Sequence, residues 1–166
     1  MKEIFDRRSI RKYKPGEISV EKLRFLVKAG MYAPSAGNEQ PWDFIIINER
    51  GILDKIPEFH PHAQMLKQAP AAILVCADIT REKHKDMWIQ DCSAATENIL
   101  IEITAQGLGG VWLGVYPREE RIKGLKELLA IPAHVIPFSL IAVGFPAERK
   151  LAADRFNPQR LHLNKW

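Results

Sequence analysis

From residue 7 to residue 14 the chain reads Arg7-Arg8-Ser9-Ile10-Arg11-Lys12-Tyr13-Lys14, five cations and a serine hydroxyl with no acidic residue among them. A guanidinium fork meets phosphate oxygens two at a time, and a hydroxyl can take a further oxygen. The chemistry this run suits is the binding of a phosphate group. A solvated basic arm or a non-specific nucleic-acid contact uses the same residue types, so other segments must discriminate.

Two further segments carry suitable groups. Residues 34–42, Pro34-Ser35-Ala36-Gly37-Asn38-Glu39-Gln40-Pro41-Trp42, set Ser35, Asn38 and Gln40 between prolines. Their neutral side chains both donate and accept, as a heterocycle of alternating C=O and N–H groups requires, although a plain turn would use the same residues. Gly109-Gly110-Val111-Trp112-Leu113-Gly114 joins glycines to a flat apolar run along which backbone can approach a planar ring. A tight helix-to-strand turn with Trp112 in the core accounts for that run equally well.

Other machinery is missing from the sequence. The glycines after residue 106 follow a helix and enter a strand, the reverse of a dinucleotide fingerprint, and neither a Walker A sequence nor a G-x-S-x-G elbow occurs. His60 and His62 stand in a proline-flanked loop without a Cys or carboxylate cluster, so no metal is expected. Binding features without acid–base or nucleophilic groups imply that a cofactor does the chemistry, and no catalytic side chain is assigned.

The elements that position these segments belong to an ordinary folded chain of 166 residues, with 46% hydrophobic and 27% charged residues and a net charge of +4. That length fits one domain over 1–166. No apolar run approaches a bilayer span and the N-terminus lacks an apolar signal core, which makes cytoplasm the expected setting. Cys76 and Cys92 read as buried free thiols. Ser19 caps a helix with Val20, Leu23, Val27 and Met31 at helical spacing, ended by Pro34. Strands are expected at 44–47, 71–77, 111–115 and 138–143, ended in the first case by polar Asn48-Glu49-Arg50-Gly51. Helical stretches are expected weakly at 63–68, then at 85–106 with Gly107 as the C′ residue, and at 119–129. The pattern is α+β. The tail beyond Gly144 looks extended, and its apolar end (Leu161, Leu163, Trp166) calls for a packing partner such as a second subunit.

Taken in order, these segments resemble the FMN-dependent nitroreductase family, specifically its short single-domain NAD(P)H:FMN oxidoreductase members. The resemblance rests on residues 7–13, on 33–42, on Asp91-Cys92-Ser93-Ala94-Ala95-Thr96-Glu97-Asn98, on 107–114, and on Arg155-Phe156-Asn157-Pro158 with His162 through Trp166. It implies a central mixed or antiparallel sheet flanked by helices, in a domain-swapped homodimer whose extended N- and C-terminal arms wrap the partner. FMN would lie at the subunit interface. By similarity Arg7, Arg8, Ser9 and Arg11 would hold the phosphate and ribityl chain and approach the pyrimidine edge. Pro34, Ser35, Asn38 and Gln40 match a loop around the flavin, in part from the other subunit. Leu113 and Gly114 match the segment under the ring, where a backbone N–H reaches N5, and Arg155 matches a C-terminal arginine that returns to the phosphate. Relatives often carry a basic residue where Ala153 stands, a departure for which Lys150 is the available compensation. Glu102 also makes the 101–104 stretch more polar than expected.

The activity the resemblance implies is ping-pong transfer of electrons from NADH or NADPH, through flavin N5, to nitroaromatic, quinone or similar small acceptors. A same-fold flavoenzyme for reductive dehalogenation, flavin fragmentation or dehydrogenation is one alternative. The other is a small basic nucleic-acid-binding module, which leaves the 34–42 loop and the glycine segment unexplained. Neither nucleic acid nor a membrane is the expected partner.

Overall fold

The computed structural model describes residues 2–151 and 153–166. At its centre, strand β5 (Val135–Pro146) pairs antiparallel with β3 (Ala71–Asp78) on one side and β4 (Gly109–Gly114) on the other. β2 (Trp42–Ile47) extends the sheet beyond β3, and the two-residue β1 (Tyr13–Lys14) joins the end of β5 at Phe145 and Pro146. Every strand pair is antiparallel; the parallel contact is a bridge from Ser9 to Gly110 on β4.

Both faces of this sheet are apolar. Along β3, Ala71, Ile73, Val75 and Ala77 enter one core while Ala72, Leu74 and Cys76 enter the other, the period-two alternation of a strand buried on both sides. Helices α2 (Val20–Met31) and α4 (Trp88–Ala105) cover the first face; α3 (Arg50–Phe59) and α5 (Glu119–Leu129) cover the second. The short α1 (Lys2–Asp6) lies against α4. The α+β layering thus matches the sequence pattern.

Individual elements depart from it in instructive ways. Ser19 caps α2, its hydroxyl accepting from the Lys22 N–H (3.3 Å), but the buried stripe is Leu23, Leu26, Val27 and Gly30. Val20 and Met31 stand on the rim of that stripe and are exposed. α4 buries Cys92, Ala95, Ile99 and Ile103 as expected, and Gly107 follows it in the left-handed region at φ 69°. α3 begins where the polar run at 48–51 signalled only a strand end. Gly51 and Pro57 disfavour a helix there, and burial of Leu53, Ile56 and Pro57 outweighs them. The expected weak helix at 63–68 is a 3₁₀ turn at Gln64–Lys67. β4 and β5 run further than apolar content indicated, because ladder pairing carries Gly109, Gly110 and Gly144 into the sheet.

Cys76 and Cys92 are buried and unpaired. Burial pushes the Cys76 thiol up to about 12 and raises that of Cys92 as well, so neither forms a thiolate at neutral pH. No helix among the described residues is long and apolar enough to cross a membrane.

The basic segment is fixed to the sheet rather than left as a loose arm. Ile10 donates its N–H to the Gly110 carbonyl (3.0 Å) and packs on Gly109, where an added Cβ would come within 2.8 Å of Ile10 Cγ2. Tyr13 is buried, and its hydroxyl donates to the Ile10 carbonyl (2.7 Å) with the Ala142 carbonyl 3.3 Å away. On the other side, Glu148 accepts from the Arg11 N–H (2.6 Å) and Lys150 Nζ donates to the Ser9 carbonyl (2.6 Å). Replacing Tyr13 by Phe removes the buried donor and leaves the Ile10 carbonyl unsatisfied. Urea denaturation of Tyr13→Phe is expected to show a lower midpoint at unchanged slope, a loss of about 1–2 kcal/mol.

Candidate functional site

A cavity of about 460 Å³ opens at the end of β4. Trp112, Leu113 and Gly114 form its strand wall, Arg11 enters from the basic arm, and His60, His62 and Gln64 come from the turn after α3. Arg121 enters from the first turn of α5, and among the described residues no carboxylate lines the cavity. Trp112 is backed by Phe138 at 5.9 Å between ring centroids, edge to face, and Phe138 in turn by Trp88 at 6.0 Å. The strand wall therefore rests on a packed aromatic layer.

The ladder fixes which backbone groups face this cavity. Val115 donates its N–H to Phe138 (3.3 Å), and hydrogen-bonded pairs alternate along an antiparallel ladder. Leu113 consequently bonds to β5, whereas the N–H and C=O of Gly114 point to the outer edge. The Gly114 carbonyl accepts from His60 Nε2 (3.1 Å) and from Arg121 Nη1 (2.6 Å). A carbonyl can only accept, so the His60 proton sits on Nε2, and Nδ1 is left buried without a partner. Burial first, then the Arg121 charge, lowers the His60 pKa to about 4 against the pull of the Gly114 bond. The ring is neutral at pH 7.

Arg8 and Arg155 meet at a second cavity of about 320 Å³, with Ile4, Phe5, Ala153, Asp154 and Phe156. Arg8 donates from Nε to the Leu151 carbonyl (3.0 Å) and from Nη1 to that of Phe5 (2.8 Å), leaving Nη2 buried and unpartnered. Arg7 is turned toward α4, its Nε 3.0 Å from Glu97 Oε1. Ser9 bridges to Gly110 on β4 and lines neither cavity. Lys150, the available substitute for a cation at Ala153, instead holds the Ser9 main chain.

The 34–40 loop lines neither cavity. Its 3₁₀ turn (Ala36–Asn38) places Asn38 and Gln40 at positive φ, 55° and 45°. The Ser35 hydroxyl accepts from the Gln40 N–H (3.0 Å), and the Gln40 amide donates to Asn38 Oδ1 (2.7 Å). Two buried carboxyl groups anchor this loop to the start of α4. Asp91 Oδ1 accepts from the Ala36 N–H (3.0 Å), while Glu39 Oε2 accepts from Lys83 (2.7 Å) and His84 (3.1 Å). The remaining oxygens, Glu39 Oε1 and Asp91 Oδ2, are buried without a donor. Burial raises Asp91, and the Glu39 carboxylate raises it further; for Glu39 burial is outweighed by its donors, which hold it below the usual range. Of the two, Asp91 is the one whose environment favours the protonated form.

Comparison with known proteins places this geometry. Residues 4–63 and 58–145 match the sequence profile of the nitroreductase family. A candidate NADH dehydrogenase/NAD(P)H nitroreductase of Archaeoglobus fulgidus is 54% identical, covering 100% of this chain and 98% of its own. The chain belongs to the nitroreductase family. An FMN-dependent nitroreductase from Clostridium difficile superposes with a TM-score of 0.92 at 31% identity, over the whole of both chains. A candidate nitroreductase of Desulfovibrio desulfuricans, solved in complex with FMN, gives 0.85 at 29% identity over 99% of this chain and 96% of its own.

For this nitroreductase-family chain, the fold brings Arg11, Leu113 and Gly114 to one cavity and Arg8 with Arg155 to another. It leaves Pro34, Ser35, Asn38 and Gln40 apart and commits Arg7 to an ion pair. Sequence reasoning missed Arg121, hidden beside Glu119 and Glu120 in what reads as a solvated helix face. It noticed His60 and His62 but weighed them only as metal ligands.

Two pH dependences follow from the buried groups. Below its ordinary pKa of 6.5, His60 takes a proton in the unfolded chain that the folded chain refuses. Stability is therefore full above that value and falls as pH drops toward 4, by on the order of 3 kcal/mol at most. His60→Gln is expected to flatten this branch in denaturation measured across that range. For Asp91 the sign reverses: the folded chain keeps a proton that the unfolded chain loses, so stability is lost as pH rises through its raised pKa. Asp91→Asn supplies a permanent donor to Glu39, and its melting temperature is expected to gain on wild type as pH is raised from acid to neutral.

Proposed function

We propose that this protein is an FMN-dependent oxidoreductase that draws electrons from NADH or NADPH and delivers them to small nitroaromatic, quinone or similar acceptors. It would act as a homodimer in the cytoplasm, with 1–166 as one domain and its terminal arms on the partner. The observation that carries the reading is the end of β4, where open space over Gly114 faces the Arg11 side chain. A Cβ built at Gly114 meets nothing within 4 Å, and its φ lies outside the positive range. Neither packing nor backbone requires a glycine there; a ring lying against the strand does.

FMN fits the residues present. Arg8, with its unpartnered Nη2, and Arg155 would take the phosphate with the adjacent Ser9, and Arg7 would join them on leaving its pair with Glu97. Arg11 would set a cation at the pyrimidine edge, and Gly114 would offer its outward N–H to N5 above Leu113. When bound, FMN supplies two-electron redox chemistry through N5, accepting hydride from the nicotinamide and releasing electrons to the acceptor. The chain itself needs no acid or base: it binds, orients and places positive charge.

Pro34, Ser35, Asn38 and Gln40 would close the site from the second subunit, which accounts for a loop set in a strained conformation away from both cavities. Exposed apolar side chains support association: Phe25, Met31 and Tyr32 around the end of α2, and Leu151, Phe156, Leu161, Leu163 and Trp166 on the tail. Two buried unpaired thiols suit a reducing compartment.

The direct test is an absorption spectrum after incubation with FMN and desalting, followed by anaerobic NADH or NADPH. A retained flavin spectrum that bleaches is expected. A colourless protein that binds oligonucleotides with steep salt dependence would overturn the reading. Gly114→Val should fold as well as wild type, since valine suits a strand, yet lose FMN affinity by about tenfold or more on titration. Arg11→Ala should weaken FMN on a similar scale, roughly 10–100-fold, as for loss of a charge-assisted bond.

A further inference from the structure

Gly114 is the last residue of β4, and its outer edge is not held by a neighbouring strand. β5 holds the inner side of this peptide through the Val115 N–H bond to Phe138, which leaves the outward Gly114 carbonyl to be satisfied from elsewhere. Here both lone pairs of its carbonyl are taken by donors from two other elements: His60 at the C-terminal end of α3 and Arg121 in the first turn of α5. The His60 side chain is fully buried, while the Gly114 carbonyl that it holds borders the cavity. The Arg121 bond adds a cation to the same oxygen at 2.6 Å. Neither residue belongs to the segments that carry the family resemblance.

We infer that His60 and Arg121 are positioning residues, a two-point clamp that fixes the Gly114 edge so that its N–H and open face are held ready for the flavin ring. The inference rests on the FMN reading and adds to it the two residues that set the strand edge. Because Arg121 is bonded to a neutral carbonyl rather than a carboxylate, its charge remains uncancelled in the cavity. Together with Arg11 it puts two guanidinium groups around one ring site, which favours the reduced, more negative state of the ring.

The test is FMN titration and measurement of the bound-flavin midpoint potential for wild type, Arg121→Ala, Arg121→Lys, His60→Leu and His60→Gln. Each is compared well below the melting temperature of its own apo form. Arg121→Ala is expected to weaken FMN about tenfold and move the potential to a more negative value. Arg121→Lys should recover the potential more than the affinity, since it keeps the charge and loses the fork. His60→Leu should weaken FMN, and His60→Gln, which retains an N–H donor, should recover part of the loss. Folded Arg121→Ala protein with wild-type affinity and potential would overturn the clamp while leaving the FMN reading intact. Wild type that binds no FMN would overturn both. Should His60→Leu fail to fold, the Arg121 pair decides the matter alone, because Arg121 lies at the surface of the cavity and its removal opens no core void.

Discussion

An outer strand edge presents backbone donors and acceptors that must be satisfied, and the covering of the β4 edge organises the rest of this molecule. Among the described residues no sixth strand is laid along it. Ile10 takes the Gly110 carbonyl at one end, His60 and Arg121 take the Gly114 carbonyl at the other, and the larger cavity opens beside that second end. Covering the edge with the basic arm brings Arg11 to the cavity and carries Arg8 to the second one. A single packing requirement thus places groups whose chemistry is otherwise unrelated to sheet formation. Tyr13, Glu148 and Lys150 make the arrangement stiff by holding the arm from its other side.

Buried polar groups do the same work for the irregular segments. The turn after α3 and the 34–40 loop lack long ladders of their own, and each is tied to a regular element through a side chain that is costly to bury alone. His60 meets that cost by staying neutral, and Glu39 and Asp91 by accepting backbone N–H groups. Hydrophobic residues would stabilise these places as well but would not select one backbone geometry. The loop residues Asn38 and Gln40 are held at positive φ, a conformation that Asn visits with little penalty and Gln does not, so an external anchor is needed.

Much of the fold was legible because its cores are periodic. The stripe on α4 and the unbroken apolar run of β3 announce themselves, and Ser19 and Gly107 mark helix ends by side-chain chemistry. α3 was not legible, since Gly51 and Pro57 speak against a helix and the counterweight, burial of Leu53 and Ile56, exists only after folding. The site divides in the same way. Cations clustered at 7–14 and the glycine at 114 can be read locally, and motif order gave the rest by resemblance. Arg121 has no local signal: its neighbours are acidic and exposed, and its meaning comes from a strand end seven residues earlier. His60 was visible as a histidine, but its role needed the knowledge that a carbonyl, not a metal, lies opposite Nε2.

The distribution of the expected flavin contacts bears on why the chain exposes so much apolar surface. The groups proposed for the phosphate, the pyrimidine edge and N5 come from elements of one chain, yet the loop carrying Ser35, Asn38 and Gln40 is anchored at the start of α4 and lines neither cavity. On the proposed reading, the Ser35, Asn38 and Gln40 side chains would meet the flavin of a second subunit. The tail is the complementary case: extended, apolar at Leu161, Leu163 and Trp166, and too exposed to be stabilised by its own chain. If the two meet their targets in one dimer, ring binding and association are thermodynamically linked, and FMN would tighten the dimer as much as the dimer tightens FMN.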